Sequence, residues 1–358
     1  MDGDKKPVGS KREIVQRKED HIDLVLAQRA VTGISEDTST RGPSSCFDRI
    51  RLEHSAMPEL DLKDIDLSAE FLGHQLSLPC LISSMTGGPS RAEAINAHLA
   101  EAAQELNIAM GVGSQRVALE TGADAGLAKS IRRRAPDIAL FANLGAVQLT
   151  GSIGITGAQK AVEMLEANAL ILHFNPLQEL LQPGGDTDWS GIADKIEQLA
   201  GRLDVPIIAK EVGFGIGPKV ARQLRDLGVA AIDVAGRGGT DFAAVELARN
   251  GDPVMQAMGS AFAGWGIDTV TCLQQLGAQA LDCQIIASGG IRNGVDAAKA
   301  IALGATLVAQ AGPVLRAALH STDAVLDHFA TLTATIRAAC MLTGSPSLAD
   351  LPNALFSK

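Results

Sequence analysis

The sequence has no tyrosine, no C-x-x-C pair of cysteines and no long apolar run. Without tyrosine, any mechanism that needs a phenol as acid, base or radical is excluded. The 5 cysteines are scattered along the chain, so we expect neither a disulfide framework nor a zinc site. No stretch approaches the roughly 18 apolar residues of a membrane-spanning helix, and the charged N-terminus lacks the apolar segment of a signal peptide. These absences predict a cytoplasmic protein with no membrane partner.

The sequence also has fewer positively charged than negatively charged residues. The chain has 31 Lys and Arg residues against 41 Asp and Glu residues, which gives a formal net charge of -10. Nucleic acid backbones attract clustered Lys and Arg, so we do not expect nucleic acid as a partner. A small anionic ligand is still compatible with this balance, because it needs only a few local cations. The apolar fraction of 46% and the charged fraction of 20% are typical of an ordered globular protein.

Short apolar runs, each followed by a helical pattern, fill most of the chain after Pro79. Such runs are typical of parallel strands covered by helices, and their spacing of roughly 25–35 residues is that of βα units. Eight units predict an α/β fold, a closed (β/α)8 TIM barrel. A doubly wound open sheet is the alternative, but no G-x-G-x-x-G motif follows the first run. The runs are 80–85, 108–113, 138–145, 169–175, 206–213, 230–236, 284–290 and 306–312.

The barrel repeat also suggests the domain organisation. We expect residues 1–78 to form an N-terminal extension that packs on the barrel and partly covers it. Residues 79–345 would form the barrel, and residues 346–358 a C-terminal tail. A glycine-rich insertion, about 236–267, separates the sixth and seventh units. This insertion could be a lid over the site or a passive surface excursion.

Functional residues of a barrel lie at the carboxyl ends of its strands. Seven of the eight runs end in polar residues or glycine, which favours one large polar ligand. The segment 287–313, ASGGIRNGVDAAKAIALGATLVAQAGP, is the most informative. Its glycines would let backbone amides approach an anion, and the helix that follows offers a positive N-terminus. The segment predicts a phosphate-bearing cofactor or substrate, the alternative being a glycine-rich turn that serves geometry alone.

Single charged residues allow two interpretations each. Lys210 ends an apolar run, where its charge must find a partner; it could form a Schiff base or face an anionic cofactor ring. Glu179 could bind Mg²⁺ together with phosphate oxygens, or be an ordinary solvated carboxylate. Arg17 and Lys18 could lie in a solvated tail or in a segment that folds over an anionic ligand. His173, which ends a strand, is a candidate ligand-binding residue.

Taken together, these motifs strongly resemble those of the type 2 isopentenyl-diphosphate isomerases, the flavin-dependent form of that enzyme. The resemblance extends from residue 17 to about residue 345. H-x-N-x-x-Q-E together with R-K-x-D-H is its most family-specific part, whereas S-G-G-I-R is shared with other FMN barrels. The motifs are RKEDHI (17–22), SSMTGG (83–88), GVGSQR (111–116), ANLGAVQL (142–149), HFNPLQE (173–179), AKEVGFG (209–215), VAGRGGTDF (234–242) and SGGIRNGVDAAKAIALGA (288–305).

The resemblance implies an isomerase of isoprenoid biosynthesis. It would interconvert isopentenyl diphosphate and dimethylallyl diphosphate through a reversible 1,3-allylic proton shift. Reduced FMN would act as acid and base, NADPH would supply the electrons, and Mg²⁺ would hold the diphosphate. The resemblance further implies a homotetramer or homo-octamer.

The resemblance also assigns roles to matching residues. Gln178, His173 and Lys210 would be catalytic, together with N5 of FMN, and Glu179 would bind the metal. The implied substrate contacts are Arg17, Lys18, Ser114, Gln115, Arg116, His173, Asn175 and Gln178. The implied FMN contacts are Ser84, Met85, Thr86, Gly87, Ser114, Asn143, Lys210, Ala235, Thr240, Gly289, Gly290, Ile291, Arg292, Gln310 and Ala311.

Two positions depart from the family pattern, and other readings stay open. Ala235 stands where serine is common, and the turn after the eighth run reads Q-A-G-P instead of A-R-P or A-L-P. Another FMN-dependent barrel oxidoreductase is one alternative. Hydroxyacid oxidases rely on tyrosine, which is absent, and enzymes similar to IMP dehydrogenase need a cysteine that segment 236–266 lacks. A non-catalytic FMN-binding barrel and a Schiff-base aldolase are the remaining alternatives.

Overall fold

The computed structural model describes Asp20, Asp23 and residues 45–85, 91–122, 127–279 and 281–356. Eight parallel strands form a closed barrel, in which the last strand pairs with the first. The predicted TIM barrel is therefore confirmed, and each strand lies within one of the eight apolar runs. The strands are β3 Cys80–Ile82, β4 Ala109–Gly111, β5 Leu140–Gly145, β6 Ala169–Phe174, β7 Ile207–Glu211, β8 Ala231–Asp233, β9 Gln284–Ala287 and β10 Leu307–Gln310.

Helices cover the outside of the barrel and bury their apolar faces against it. Short 3-10 helices span Cys46–Arg49, Leu62–Asp64, Ala146–Leu149 and Leu348–Ala354. Within the described ranges the α-helices are α1 Arg91–Leu106, α2 Arg116–Thr121, α3 Lys129–Arg134, α4 Gly154–Leu165, α5 Pro176–Leu181, α6 Ile192–Ala200, α7 Pro218–Asp226, α8 Phe242–Arg249, α9 Pro253–Ala261, α10 Thr269–Gly277, α11 Gly294–Ala302, α12 Gly312–Ala318 and α13 Thr322–Leu342. No helix of the described residues is long and apolar enough to cross a membrane.

The interior of the barrel is a separate apolar cluster. Alternate strand residues point inward, as the period of two requires, and Phe141, Ile171, Ile208 and Ile286 belong to this cluster. Two residues further along four of these strands, the same alternation brings polar side chains to the inner wall at the carboxyl end. These side chains are Asn143, His173, Lys210 and Ser288.

An antiparallel hairpin closes the opposite, amino end of the barrel. Its strands are β1 Ala69–Phe71 and β2 His74–Leu76. Phe71 and Leu76 belong to the interior cluster, and the ring centroid of Phe71 lies 6.0 Å from that of Phe141. The amide of Leu72 donates to Oε1 of Gln284 on β9 at 2.8 Å. The hairpin of the N-terminal extension thus fills the amino end of the barrel.

The segment 45–50 joins the outer helices near the other end. The Asp48 carboxylate accepts from Arg292 at 3.1 Å, and Arg49 pairs with Asp268, the N-cap of α10, at 2.6 Å. Nζ of Lys299 on α11 donates to the Phe47 carbonyl at 3.0 Å. The boundaries proposed for the extension, the barrel and the tail stay predictions.

The insertion after β8 is built into the fold. Its helices α8 and α9 follow the loop after β8, and Ala243 of α8 forms an apolar cluster with Leu177 and Leu181 of α5 and with Phe214. The insertion therefore packs against the helix that carries Glu179. This contact brings a further carboxylate, that of Glu246, next to Gln178 of α5.

Candidate active site

Polar side chains from adjacent strands form a ring inside the carboxyl end of the barrel. His173 of β6 lies opposite Lys210 of β7 in the register, and Lys210 lies opposite Asp233 of β8. Asn143 and Ser288 extend this row on either side, because each contacts its neighbour in it. We call these five residues the mouth ring. A row of this kind inside an otherwise apolar barrel is typical of a ligand site.

Asn143 fixes the protonation pattern of His173. Its Nδ2 donates to the Val112 carbonyl at 3.0 Å, so its Oδ1 is left to accept from Nδ1 of His173 at 2.8 Å. Nε2 of His173 consequently carries no proton in the neutral ring. Burial, and secondly the charge of Lys210, lower the pKa of His173 to about 4. The imidazole is therefore neutral near pH 7.

Lys210 and Asp233 form a buried pair of opposite charges. Their Nζ and Oδ2 atoms are 3.7 Å apart, and the two side chains are 11% and 1% exposed. Asp233 Oδ1 accepts from Ser288 Oγ at 2.5 Å, whereas Oδ2 has no hydrogen-bond partner. Burial raises the pKa of Asp233, against the opposing effect of Lys210. The pair places one cation and one unsatisfied carboxylate oxygen in the mouth ring.

Residues 288–291 form the loop after β9, which we call the glycine loop, and its carbonyl groups hold it in place. Oγ1 of Thr269 donates to the carbonyls of Ser288 and Gly289 at 2.8 and 2.6 Å. A Cβ on Gly289 would lie 2.0 Å from the Gly236 carbonyl oxygen, and φ of Gly289 is +92°. Only glycine fits this close approach.

The same loop leaves donors free. Among the described residues, the amides of Gly289, Gly290 and Ile291 have no acceptor. Consecutive free amides ahead of a helix form an anion-binding concavity. This loop is where the sequence predicts a phosphate.

Two predicted cofactor contacts in this region have side chains that bind protein groups. The Gln310 amide is occupied within the protein, because its Nε2 donates to the Ile291 carbonyl at 3.0 Å and its Oε1 contacts Nε2 of His328 at 2.8 Å. The Arg292 guanidinium is bound by Asp296 at 2.9 Å and by Asp48 at 3.1 Å. Both side chains are thus held by protein groups next to the glycine loop. Ala311, next to Gln310, is the first residue of the turn after β10.

A second polar cluster surrounds Glu179 at the start of α5. Asn175 Nδ2 donates to Glu179 Oε1 at 2.9 Å and to Gln178 Oε1 at 3.2 Å. The backbone amide of Asp186 donates to Glu179 Oε2 at 2.8 Å. Asn175 Oδ1 is buried and has no partner. Glu179 is thus a nearly buried carboxylate, 7% exposed, beside an unsatisfied amide oxygen.

Gln178 connects this cluster to the insertion. Its Nε2 donates to Oε1 of Glu246 at 3.0 Å, and Oε2 of Glu246 accepts from Arg249 at 3.2 Å. Arg249 also pairs with Asp20 at 3.2 Å. Asp20 lies two residues after Lys18 in the sequence, but Arg17 and Lys18 lie outside the described residues.

Arg116 is held close to the same cluster. Its guanidinium contacts Asp186 at 2.7 Å and Glu120 at 3.0 Å, and the backbone amide of the same Asp186 donates to Glu179. The neighbouring Gln115, a predicted substrate contact, has no exposed surface. Its Nε2 donates to the carbonyls of Leu127 and Ala161, and its Oε1 accepts from the amide of Asn143. Gln115 supports Asn143 from behind and cannot contact a ligand in this conformation.

The remaining predicted contacts that the structure describes follow barrel strands at their carboxyl ends. Oγ of Ser84 is buried without a partner, 2.7 Å from the position of a Cβ on Gly111. Ala235 is buried in a left-handed conformation, φ +36°. Thr240 follows the loop after β8, and its carbonyl lies 2.8 Å from a Cβ built on Gly213. Met85 and Ser114 are half-buried, and Thr86 and Gly87 lie outside the described residues.

Sequence reasoning missed four residues of this region. Thr269 and Asp233 could have been found, since Thr269 directly follows Asp268, a typical N-cap residue of the helix after the insertion, and Asp233 is an acid within an apolar run. Glu246 lies in an ordinary helical pattern and gave no signal. Glu211 follows Lys210 and points to the outer side, where its Oε2 accepts from three consecutive backbone amides, 212–214, at 2.5–2.7 Å.

Comparison with known proteins now identifies the family. Residues 26–130 and 175–358 match the FMN-dependent dehydrogenase family. An isopentenyl-diphosphate delta-isomerase of Xanthobacter autotrophicus is 55% identical over 93% of this chain and 94% of its own length. Another, of Stutzerimonas stutzeri, is 55% identical over 96% and 97%. The chain belongs to the isopentenyl-diphosphate delta-isomerase family. The predicted family and enzyme class, an isomerase, are confirmed.

Solved structures support the fold of this isomerase family member. A mutant of the active chimera of (S)-mandelate dehydrogenase superposes with a TM-score of 0.66, covering 95% of this chain and 99% of its own. Its sequence identity is 18%, so the likeness shows the fold alone. Mandelate oxidase gives a similar result, with a TM-score of 0.62 at 18% identity. The hydroxyacid oxidases therefore share the barrel without deciding the chemistry.

Proposed function

We propose that the chain interconverts isopentenyl diphosphate and dimethylallyl diphosphate by a 1,3-allylic proton shift, with reduced FMN and Mg²⁺ bound and NADPH as the source of electrons. One observation carries the proposal beyond family membership. Three buried oxygen atoms without hydrogen-bond partners, Ser84 Oγ, Asn175 Oδ1 and Asp233 Oδ2, lie around the mouth. Each such atom lowers the stability of the fold by about 1–3 kcal/mol unless a hydrogen bond or a metal ion satisfies it. The two polar clusters differ in the ligand that would satisfy them.

The mouth ring and the glycine loop fit FMN. The free amides of Gly289, Gly290 and Ile291 suit its phosphate, and Lys210 suits the electron-rich end of a reduced ring. Ser84, Met85, Ser114, Asn143, Ala235, Thr240 and Ala311 lie at or after the ends of strands at the carboxyl end of the barrel and would line the flavin ring. Thr86 and Gly87, which lie outside the described residues, are predicted to join them. When bound in its reduced form, FMN would supply an electron-rich surface beside the alkene and an acid and base at N5.

The Glu179 cluster fits a diphosphate and its metal. Mg²⁺ usually takes one or two carboxylates and completes its shell with water and phosphate oxygens. Glu179 supplies one carboxylate, and the unsatisfied Asn175 Oδ1 supplies a neutral oxygen beside it. The described residues offer no group of three or more ligands, so the diphosphate itself would have to complete the site. Arg116, with Arg17 and Lys18 from the N-terminal segment, would add the positive charge.

His173 and Gln178 would act on the substrate from the border between the two clusters. Nε2 of His173 carries no proton in the neutral ring, and a hydrogen bond to a phosphate oxygen requires one. Diphosphate binding should therefore be coupled to proton uptake by His173. Gln178, which Glu246 holds by its Nε2, would orient the alkene end. Lys210 would keep a positive charge where the reduced ring needs it.

Anaerobic turnover of the purified protein tests the proposal. We expect dimethylallyl diphosphate to form from isopentenyl diphosphate with FMN, NADPH and Mg²⁺, and to be lost without reductant. Glu179→Gln should reduce turnover at least 100-fold and raise the Mg²⁺ requirement, since it removes the one carboxylate of the metal site. The matched control is Glu197→Gln, which neutralises an exposed glutamate of α6 and should keep full activity. A protein that binds FMN but forms no product would establish the non-catalytic FMN barrel instead.

Three further expectations accompany this function. The enzyme should be cytoplasmic, should have no nucleic acid partner and should form a homotetramer or homo-octamer.

A further inference from the structure

We propose that Asp233 is a positioning residue that acts through Lys210 and limits how strongly the site prefers reduced over oxidised FMN. The inference rests on the proposed function, because it requires that FMN binds in the mouth ring. It concerns a residue that the sequence did not single out.

The Asp233 carboxylate has one anchored oxygen and one free oxygen. Oδ1 accepts from Ser288 Oγ at 2.5 Å and from the Ala235 amide at 3.2 Å. Oδ2 has no hydrogen-bond partner and faces Lys210 Nζ at 3.7 Å, beyond hydrogen-bond distance. If Asp233 served only to fix the turn at Ala235, an amide or hydroxyl would do so without burying a carboxylate. The free oxygen therefore points to an electrostatic role.

Lys210 has few other charged neighbours. Its Nζ donates to the Glu211 carbonyl at 2.6 Å. The titratable groups that face it are His173 on β6, Asp233 on β8 and Glu211 on its own strand. His173 is neutral near pH 7, and the Glu211 carboxylate is turned towards the amides 212–214 on the outer side. Among the described residues, Asp233 is thus the acidic member of the mouth ring beside Lys210.

This pairing sets the field that a bound ring would meet. Charges interact strongly in a buried site, because little water screens them. An unopposed ammonium would favour the anionic reduced ring over the neutral oxidised ring. A carboxylate 3.7 Å from that ammonium cancels part of its field. Asp233 would thereby hold the cation in place and prevent an excessive preference for the reduced form.

The variant Asp233→Asn distinguishes the effect of the carboxylate charge from the effect of the hydrogen bonds that fix the turn at Ala235. Asparagine keeps an Oδ1 that can accept from Ser288 and from the Ala235 amide, but it removes the negative charge beside Lys210. Ser288→Ala is the matched control, because it deletes one hydrogen bond to Asp233 and leaves the charge. Lys210→Met removes the residue through which Asp233 is expected to act. Asp233→Ser provides a second neutral variant should the asparagine variant fail to fold.

The measurement is the dissociation constant of oxidised FMN and of reduced FMN for each variant, anaerobically at pH 7. In Asp233→Asn we expect the ratio of reduced to oxidised affinity to rise about tenfold, which is about 30 mV for a two-electron couple. Ser288→Ala should change the ratio less than twofold. In the Lys210→Met background, Asp233→Asn should change it less than threefold, because the effect passes through Lys210.

Two outcomes would overturn the inference and leave the proposed function intact. One is a parent protein that binds FMN while both neutral variants keep its affinity ratio. The other is an equal effect of Asp233→Asn with and without Lys210, which would mean that Asp233 does not act through the lysine. A parent protein that binds no FMN would instead overturn the proposed function, and the inference with it.

Discussion

The two ends of the barrel are closed in opposite ways. At the amino end, Phe71 and Leu76 of the hairpin fill the opening with apolar side chains that are buried and packed. At the carboxyl end, the mouth ring contains buried charges. There, Ser84 Oγ and Asp233 Oδ2 have no hydrogen-bond partner. One end gains stability from burial of apolar surface, whereas the other keeps unsatisfied groups that destabilise the fold.

This difference separates stability from function along one axis of the molecule. Unsatisfied polar groups lower the stability of the fold, so they are expected where a ligand satisfies them. Buried apolar side chains stabilise the fold and need no ligand to explain their presence. Changes at the amino end should therefore affect unfolding and spare ligand binding. Changes at the carboxyl end should do the reverse. Each variant below is a way to break this division.

The largest effect is expected at the amino end. Phe71→Ala should lower the free energy of unfolding by about 3–5 kcal/mol, because it removes a fully buried ring and leaves a cavity. Denaturant unfolding followed by circular dichroism measures this loss. Phe356→Ala, at a side chain that is 64% exposed, is the control and should change stability by less than about 1 kcal/mol. Loss of FMN binding by folded Phe71→Ala protein would show that the two ends are not independent.

A pH effect of intermediate size is expected at Glu211, the last residue of β7, whose carboxylate lies outside the mouth ring. Burial raises the pKa of Glu211 from 4.5 to about 7, although three backbone amides oppose the rise. A carboxyl group with a raised folded-state pKa stabilises the protein below its unfolded value, and this stabilisation is lost as the pH rises through the folded value. The window is therefore about pH 4.5 to pH 7, and the loss is up to about 3 kcal/mol.

Glu211→Gln isolates this contribution. His173 titrates in the opposite sense, because its lowered pKa of about 4 makes stability rise between that value and its ordinary pKa. The useful quantity is thus the difference in unfolding free energy between the variant and the parent. We expect it to shift in favour of Glu211→Gln as the pH rises from 4.5 to 7. A difference that stays constant over this range would contradict the buried-carboxyl explanation.

The fold was predictable because its signal is local and repeated. Each barrel strand lies within a short apolar run, and seven of the eight runs end in polar residues or glycine, so the runs were visible without any contact information. The period of two also predicts that Asn143, His173 and Lys210 share the inner wall. Lys210 and Glu179 required no structure to be noticed, because charged residues beside buried runs are unusual.

The rest of the site depends on contacts between distant segments. Glu246 reaches Gln178 only because the insertion packs on α5 through apolar side chains. Gln115 lies in a motif typical of substrate contacts, yet its side-chain amide donates to the backbone carbonyls of Leu127 and Ala161. Packing between distant segments determines how such side chains are oriented. A sequence motif gives only the residue types and not the directions in which the side chains point.

The smallest effect on stability is expected at the carboxyl end, where Ser84→Ala removes an unsatisfied hydroxyl. Its Oγ is buried without a partner, so the substitution should change the free energy of unfolding by less than about 0.5 kcal/mol, or raise it slightly. FMN affinity should nevertheless fall severalfold, since the hydroxyl borders the proposed cofactor space. Isothermal titration with FMN and denaturant unfolding measure the two quantities on one preparation. If Ser84→Ala cost 1 kcal/mol or more and left FMN affinity unchanged, the hydroxyl would be a structural group and the division between the two ends would fail there.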